Sequence, residues 1–230
     1  MIKIAYFSDL LCIWAYVHDI RMRTLLQEFG SQVTLSYHFL SLFAATHDKI
    51  DKGWKDRGGW RGYGEHVVEV ASRFEHIRVH PEVWQAVRPH SSASTHQFIK
   101  ALQLLQAQGQ IDAEPQPDLD GRTLVEAAIW ALRLAFFRDL RDISQRTVQQ
   151  DIASDLDLPW PLIQALLESG EALAGLFLDL QLQQDFLVKG SPTLVFNEGR
   201  QTLYGNVGYR VIEANLTELL NTPSEQASWC

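Results

Sequence analysis

Phe7-Ser8-Asp9-Leu10-Leu11-Cys12-Ile13-Trp14-Ala15-Tyr16 is the stretch that decides how this chain folds. Residues 1–8, which lead into it, are rich in β-branched and aromatic side chains and read as a strand. From Cys12 an apolar helix runs to about Phe29, and Gly30 supplies its stop signal. Cys12 therefore falls on the first turn of a helix, against backbone N–H groups that have no intrahelical partner. The positive end of the helix dipole lies at the same place. Both favour a thiolate, so the expectation is a thiol with a pKa below the free value of about 8.5. Three residues on, Ala15 stands where a second cysteine would complete a C-x-x-C pair.

Working outward, residues 33–40 form a second strand, and strand–helix–strand over this length implies parallel pairing with a right-handed crossover. Residues 46–64 carry five glycines among Asp, Lys and Trp and read as a loop. From about Tyr63 to Phe186 the apolar spacing is helical throughout. The stretch 124–137 is apolar on nearly every side, as expected for the centre of a bundle. Ser144 reads as the cap of the next helix, Pro159 and Pro161 as the start of another, and Glu114-Pro115-Gln116-Pro117 as a loop. Strand character returns at Pro192-Thr193-Leu194-Val195-Phe196, with Asn197-Glu198-Gly199 as a turn and residues 200–204 as its partner. A helix over about 209–220 closes the pattern. The fold class is α/β, in the order β-α-β, long helical insertion, β-β-α. The expected division is one domain from 1–45 and 187–222, a helical domain over 46–186, and a flexible tail at 223–230.

Composition narrows the function classes. The chain has 230 residues, 46% of them hydrophobic, and a net charge of −8. No basic run offsets the acid, which argues against nucleic acid as a partner. No stretch is long and apolar enough to span a membrane. The apolar run after Lys3 is broken by Asp9 and lacks a cleavage site, so a cytoplasmic location is expected. Cys12 and Cys230 lie at opposite ends of the sequence and do not form a disulfide framework. The set His76, His80, His90 and His96 has no acidic ligand at i, i+4 spacing and reads as mostly surface residues, so no metal site is expected. Trp54, Trp60, Tyr63 and Trp84 read as packing of the helical domain, with a lid over an apolar substrate as the other reading.

Three segments carry a resemblance. They are residues 7–16, then Gly190-Ser191-Pro192-Thr193-Leu194-Val195-Phe196, then Phe136-Phe137 with Arg141-Asp142-Ile143-Ser144. With these motifs, and over nearly the whole chain, the sequence resembles the DsbA-type branch of the thioredoxin superfamily, in which a helical domain interrupts a thioredoxin fold. It is most similar to the FrnE-like cytosolic members and to the neighbouring kappa-class glutathione transferases and 2-hydroxychromene-2-carboxylate isomerases. The resemblance implies a cis-proline at Pro192 facing Cys12, with the Ser191 backbone pairing an extended substrate. It also implies a dimer. Two departures matter: Ile13 stands for the family's proline and Ala15 for its second cysteine.

The expected function is a thiol–disulfide oxidoreductase working with one cysteine. Cys12 is the candidate nucleophile, Trp14, Ser191 and Pro192 the candidate substrate-binding residues, and Ser8 and Asp9 candidate polarising groups. Asp9 is equally suited to cap the helix, where its charge would oppose thiolate formation. No permanently bound cofactor is expected. Glutathione is the candidate co-substrate, with a small thiol or disulfide as partner. The alternatives are a glutathione transferase or glutathione-dependent isomerase, in which glutathione supplies the reactive sulfur, and a non-catalytic binding module. Cys230 as a resolving thiol is the remaining option.

Overall fold

Alternation along the first strand sets the sheet. In β1 (Ile2–Ser8) the side chains of Ile2, Ile4 and Tyr6 point to one face, and those of Ala5 and Phe7 to the other. The computed structural model describes residues 1–222; the expected tail, with Cys230, lies outside the described residues. α1 (Ile13–Phe29) returns the chain so that β2 (Val33–Phe39) pairs parallel with β1, Ile2 opposite Val33 through to Ser8 opposite Phe39. β3 (Thr193–Phe196) pairs antiparallel with the other edge of β1, and β4 (Gln201–Tyr204) with β3. The sheet order is β2-β1-β3-β4.

Both faces of β1 and β3 are covered, which accounts for the unbroken apolar run Leu194-Val195-Phe196. On one face Ile4, Tyr6, Leu194 and Phe196 pack with Met22 and Leu25 of α1 and with Ile212, Leu216 and Leu219 of α9 (Tyr209–Asn221). On the other, Phe7 and Val195 pack with Leu182 and Phe186. That second contact moves a boundary. The chain falls into one unit of Met1–Leu40 with Asp179 onward, and another of Ser41–Leu178. Residues 41–45 group with the helices and 179–186 with the sheet.

The second unit holds α2 (Thr46–Gly53), α3 (Gly59–Ala71), α4 (Ala93–Ala107), α5 (Leu124–Phe137), α6 (Arg146–Asp155), α7 (Trp160–Glu168) and the first turns of α8 (Glu171–Asp185). α5 is buried on most sides, as its composition predicts, and opens with a capping box. Thr123 Oγ1 accepts the Glu126 N–H and the Glu126 carboxylate accepts the Thr123 N–H. Trp84 is wholly buried, 4.8 Å from Phe136 and 5.4 Å from both Phe43 and Tyr63, so these aromatics pack against one another.

Several expectations fail in this unit. Residues 46–64 are two helices and a short 3-10 turn rather than a loop. Their glycines permit turns and close packing: Gly58 lies at φ 86° at the start of α3, and Gly62, inside α3, sits so close to the Arg57 carbonyl that a Cβ would collide with it. Residues 72–92, read as helical, are irregular, with turns around Val83 and Val87. Ser144 does not cap α6: Gln145 holds that position, and the Ser144 hydroxyl donates to Asp142 at 2.6 Å. Among the histidines read as mostly surface residues, His96 is the exception, buried on α4.

Among the described residues no single helix is long and apolar enough to cross a membrane. The close approach at Gly62 gives a paired expectation. Gly62→Ala should lower the urea unfolding midpoint, whereas Gly53→Ala, with nothing within 4 Å of its added methyl, should hold or raise it by about 0.4–1 kcal/mol of stability. Equal effects at the two positions would contradict the steric account.

Candidate functional site

The end of β1 and the start of β3 lie side by side, with Phe7 opposite Thr193. This register brings the turn Ser8-Asp9-Leu10-Leu11-Cys12 against the loop Gly190-Ser191-Pro192. The turn is fixed locally: Asp9 Oδ1 accepts the Leu11 N–H at 2.9 Å, and the Asp9 carbonyl accepts the Cys12 N–H at 3.0 Å. The chain then enters α1 with Cys12 as its N-cap in extended geometry, and the Cys12 carbonyl accepts the Ala15 and Tyr16 N–H groups at 3.1 Å.

The loop is fixed as firmly. Thr193 Oγ1 donates to the Gly190 carbonyl at 2.6 Å, and the Gly205 N–H donates to the Pro192 carbonyl at 2.9 Å. A Cβ at Gly190 would meet the Tyr204 ring at 2.9 Å, so a side chain there would have to displace that ring. The Ser191–Pro192 peptide is cis. Two contacts join turn to loop. The Asp9 N–H donates to Ser191 Oγ at 3.0 Å, and Cys12 Sγ lies 3.5 Å from the Ser191 carbonyl, which accepts its S–H.

Cys12, Ser191 and Pro192 thus come together, with Asp9 bracing both sides. Ser8 is buried, and its backbone carbonyl accepts the Leu40 N–H. Trp14 is half-buried on the first turn of α1, and its backbone N–H bears on the sulfur. Ala15 is fully buried.

The electrostatics reverse the expectation drawn from the helix N-terminus. Burial pushes the Cys12 thiol above its ordinary pKa and is the largest influence on it. A hydrogen bond from the Ser191 side chain and the backbone N–H groups of Ala15 and Trp14 pull it down, while the Asp9 charge pushes it up. Cys12 is 4% exposed, and in a dry site the loss of hydration outweighs the donors. A thiol raised in this way contributes stability in full below the unfolded pKa. That contribution is lost as pH rises through the folded value.

The Ser191 hydroxyl is a member of the site that the sequence does not reveal. Its signal is a polar residue before Pro192, but a partner at the end of β1 is visible only once the strands are paired.

With this geometry, the fold can be set beside solved structures. It matches a probable DsbA oxidoreductase from Streptomyces coelicolor at 16% identity, with a TM-score of 0.72, over 97% of this chain and 92% of that one. It matches the cytosolic disulfide reductase DsbM from Pseudomonas aeruginosa with GSH at 17% identity, TM-score 0.62, over 94% and 99%. It also matches a 2-hydroxychromene-2-carboxylate isomerase at 14% identity, TM-score 0.62, over 98% and 100%. This is the DsbA-type thioredoxin-like fold. No protein-family model and no curated protein matches the sequence. In this DsbA-type frame Cys12 stands at the head of α1, and the last position of the C-x-x-A tetrad holds a methyl group.

Removing one hydroxyl tests the balance at the sulfur. In protein whose second thiol is removed by Cys230→Ser, Ser191→Ala should slow Cys12 alkylation at pH values below the thiol's pKa, by raising the thiol further and leaving less thiolate. The same change should cost about 1–3 kcal/mol, because it takes the acceptor from the buried Asp9 N–H. Faster alkylation in the variant would contradict the assignment.

Proposed function

We propose that this protein is a thiol–disulfide oxidoreductase that works through Cys12 alone. The observation that carries the reading is Cys12 Sγ beside the Ser191 carbonyl, at the N-terminus of α1 and against the cis Ser191–Pro192 bond. The Cys12 sulfur, once deprotonated, attacks one sulfur of a disulfide. A new S–S bond forms to Cys12, the old S–S bond breaks, and the departing thiolate takes up a proton. Ala15 offers no resolving thiol, so an external thiol attacks the mixed disulfide and returns Cys12 as thiolate.

Glutathione suits both halves of this cycle. Its disulfide delivers the adduct, and its thiol, abundant in a reducing compartment, removes it. The raised pKa is compatible with the chemistry: a less acidic thiol is ionised less often but is more nucleophilic once ionised. The backbone of Ser191 and the face of Trp14 are the proposed contacts of the bound peptide. Presence of GSH in the DsbM structure supports glutathione as the ligand class.

One observation favours a second reading. A buried, neutral Cys12 thiol can donate a hydrogen bond to the sulfur of bound glutathione rather than join to it. Glutathione would then carry the reaction, as in a transferase or isomerase.

Incubation with oxidised glutathione separates the two. The expected result is one glutathione added to the peptide bearing Cys12, reversed by reduced glutathione and lost in Cys12→Ser. If instead Cys12→Ser binds glutathione undiminished and conjugates an electrophile at the wild-type rate, the second reading stands and the first fails. A further gain is expected from Ala15→Cys. Restoring the second thiol should confer dithiol reduction of insulin, monitored by turbidity, that the wild-type chain lacks.

A further inference from the structure

A second cluster of reactive groups lies in the sheet unit, apart from the Cys12 contacts. Ser36 and His38 are two residues apart on β2, so their side chains leave the same face. Ser36 Oγ is 2.9 Å from His38 Nε2, and His38 Nδ1 is 2.8 Å from Asp179 Oδ1. The other oxygen of Asp179 accepts the Phe39 N–H at 3.0 Å, which fixes the carboxylate. Exposure grades along the row: the Asp179 side chain is 3% exposed, the His38 ring 18%, and Ser36 is exposed.

The hydrogen bonds dictate the proton positions. A carboxylate can only accept, so the proton between Asp179 and His38 sits on Nδ1. In the neutral imidazole Nε2 is then an acceptor, and the Ser36 hydroxyl donates to it. The nearby Ile4 carbonyl, at 3.4 Å, is the more distant acceptor. Phe7 stacks on the imidazole at 5.0 Å and holds its plane. Ala5, opposite Ser36 in the register, puts only a methyl group beside the hydroxyl.

We propose that Ser36, His38 and Asp179 form a hydrolytic site whose substrates are carboxylic esters. Ser36 Oγ bonds to the acyl carbon as its proton passes to His38 Nε2. The ester C–O bond breaks, the leaving oxygen takes that proton as an alcohol, and Ser36 carries the acyl group. Water then attacks the acyl carbon, giving its proton to Nε2. The carboxylic acid leaves and Ser36 Oγ recovers its proton. Asp179 is the positioning residue: it sets the tautomer and orientation of the imidazole.

p-Nitrophenyl acetate is the probe, with release of p-nitrophenol and peptide mapping of the acetyl group as readouts. The expected result is acetyl on Ser36, abolished by Ser36→Ala and slowed about 100-fold or more by His38→Gln, within the range for loss of a general base. Asp179→Asn can still accept the Phe39 N–H while turning its NH2 toward Nδ1. It should give a comparable loss with an unchanged circular dichroism spectrum. Long-range 1H–15N correlation spectra provide a readout that needs no turnover: the Nδ1–H tautomer of His38 is expected in the wild type. Acetyl found only on Cys12 or on lysines would overturn the proposal. So would acetylation of Ser36 at an undiminished rate in His38→Gln, or an Nε2–H tautomer in the wild type.

Discussion

The antiparallel register between β1 and β3 is the constraint on which the site depends. It joins segments far apart in sequence: the Asp9 N–H and Ser191 Oγ, in hydrogen-bond contact, are separated by 182 positions. Neither the turn before α1 nor the loop before β3 makes a site by itself. The turn presents a cysteine at a helix N-cap, and the loop presents a carbonyl and a hydroxyl beside a cis bond. Paired strands hold the two in contact, and the apolar layers on both faces of the sheet hold the strands. A slip of one residue would exchange those faces and carry Ser191 away from the sulfur.

Within that frame the chemistry is a contest between hydration and hydrogen bonding. The N-terminal turn of α1 and the Ser191 side chain offer donors to the sulfur, but the sulfur has almost no access to water. In the open sites where such donors dominate, a cysteine at a helix N-terminus is acidic. In this site burial dominates, and the buried Asp9 adds a charge of the wrong sign. In the proposed cycle, a bound substrate brings polar groups to the sulfur and so changes the terms of this contest. With Ala15 in place of a second thiol, a bound disulfide has only one sulfur of the tetrad to exchange with.

How much of this is legible in the sequence depends on the range of the interaction. Cys12 at a strand–helix junction and the β-β-α ending follow from short patterns, and both stand in the structure. The helices at 46–71 are obscured because Gly53, Gly58, Gly59, Gly62 and Gly64 count against helix on propensity. In the structure Gly58 ends a turn and Gly62 permits a close backbone approach. Ser144 is misleading because Asp142, two residues earlier, competes for its hydroxyl. The direction of the thiol pKa is not contained in the helix motif at all, because burial of Cys12 is a property of the assembled unit. The pairing of His38 with Asp179 across 141 positions is equally invisible.

The most direct test is the 13Cβ chemical shift of Cys12 followed against pH in protein carrying Cys230→Ser. This observes the sulfur's protonation without consuming it. Burial as the dominant influence predicts a single titration with its midpoint above the free-cysteine value of about 8.5. A midpoint below that value would show that the helix N-terminus and Ser191 outweigh burial, and would contradict a site governed by desolvation of the sulfur.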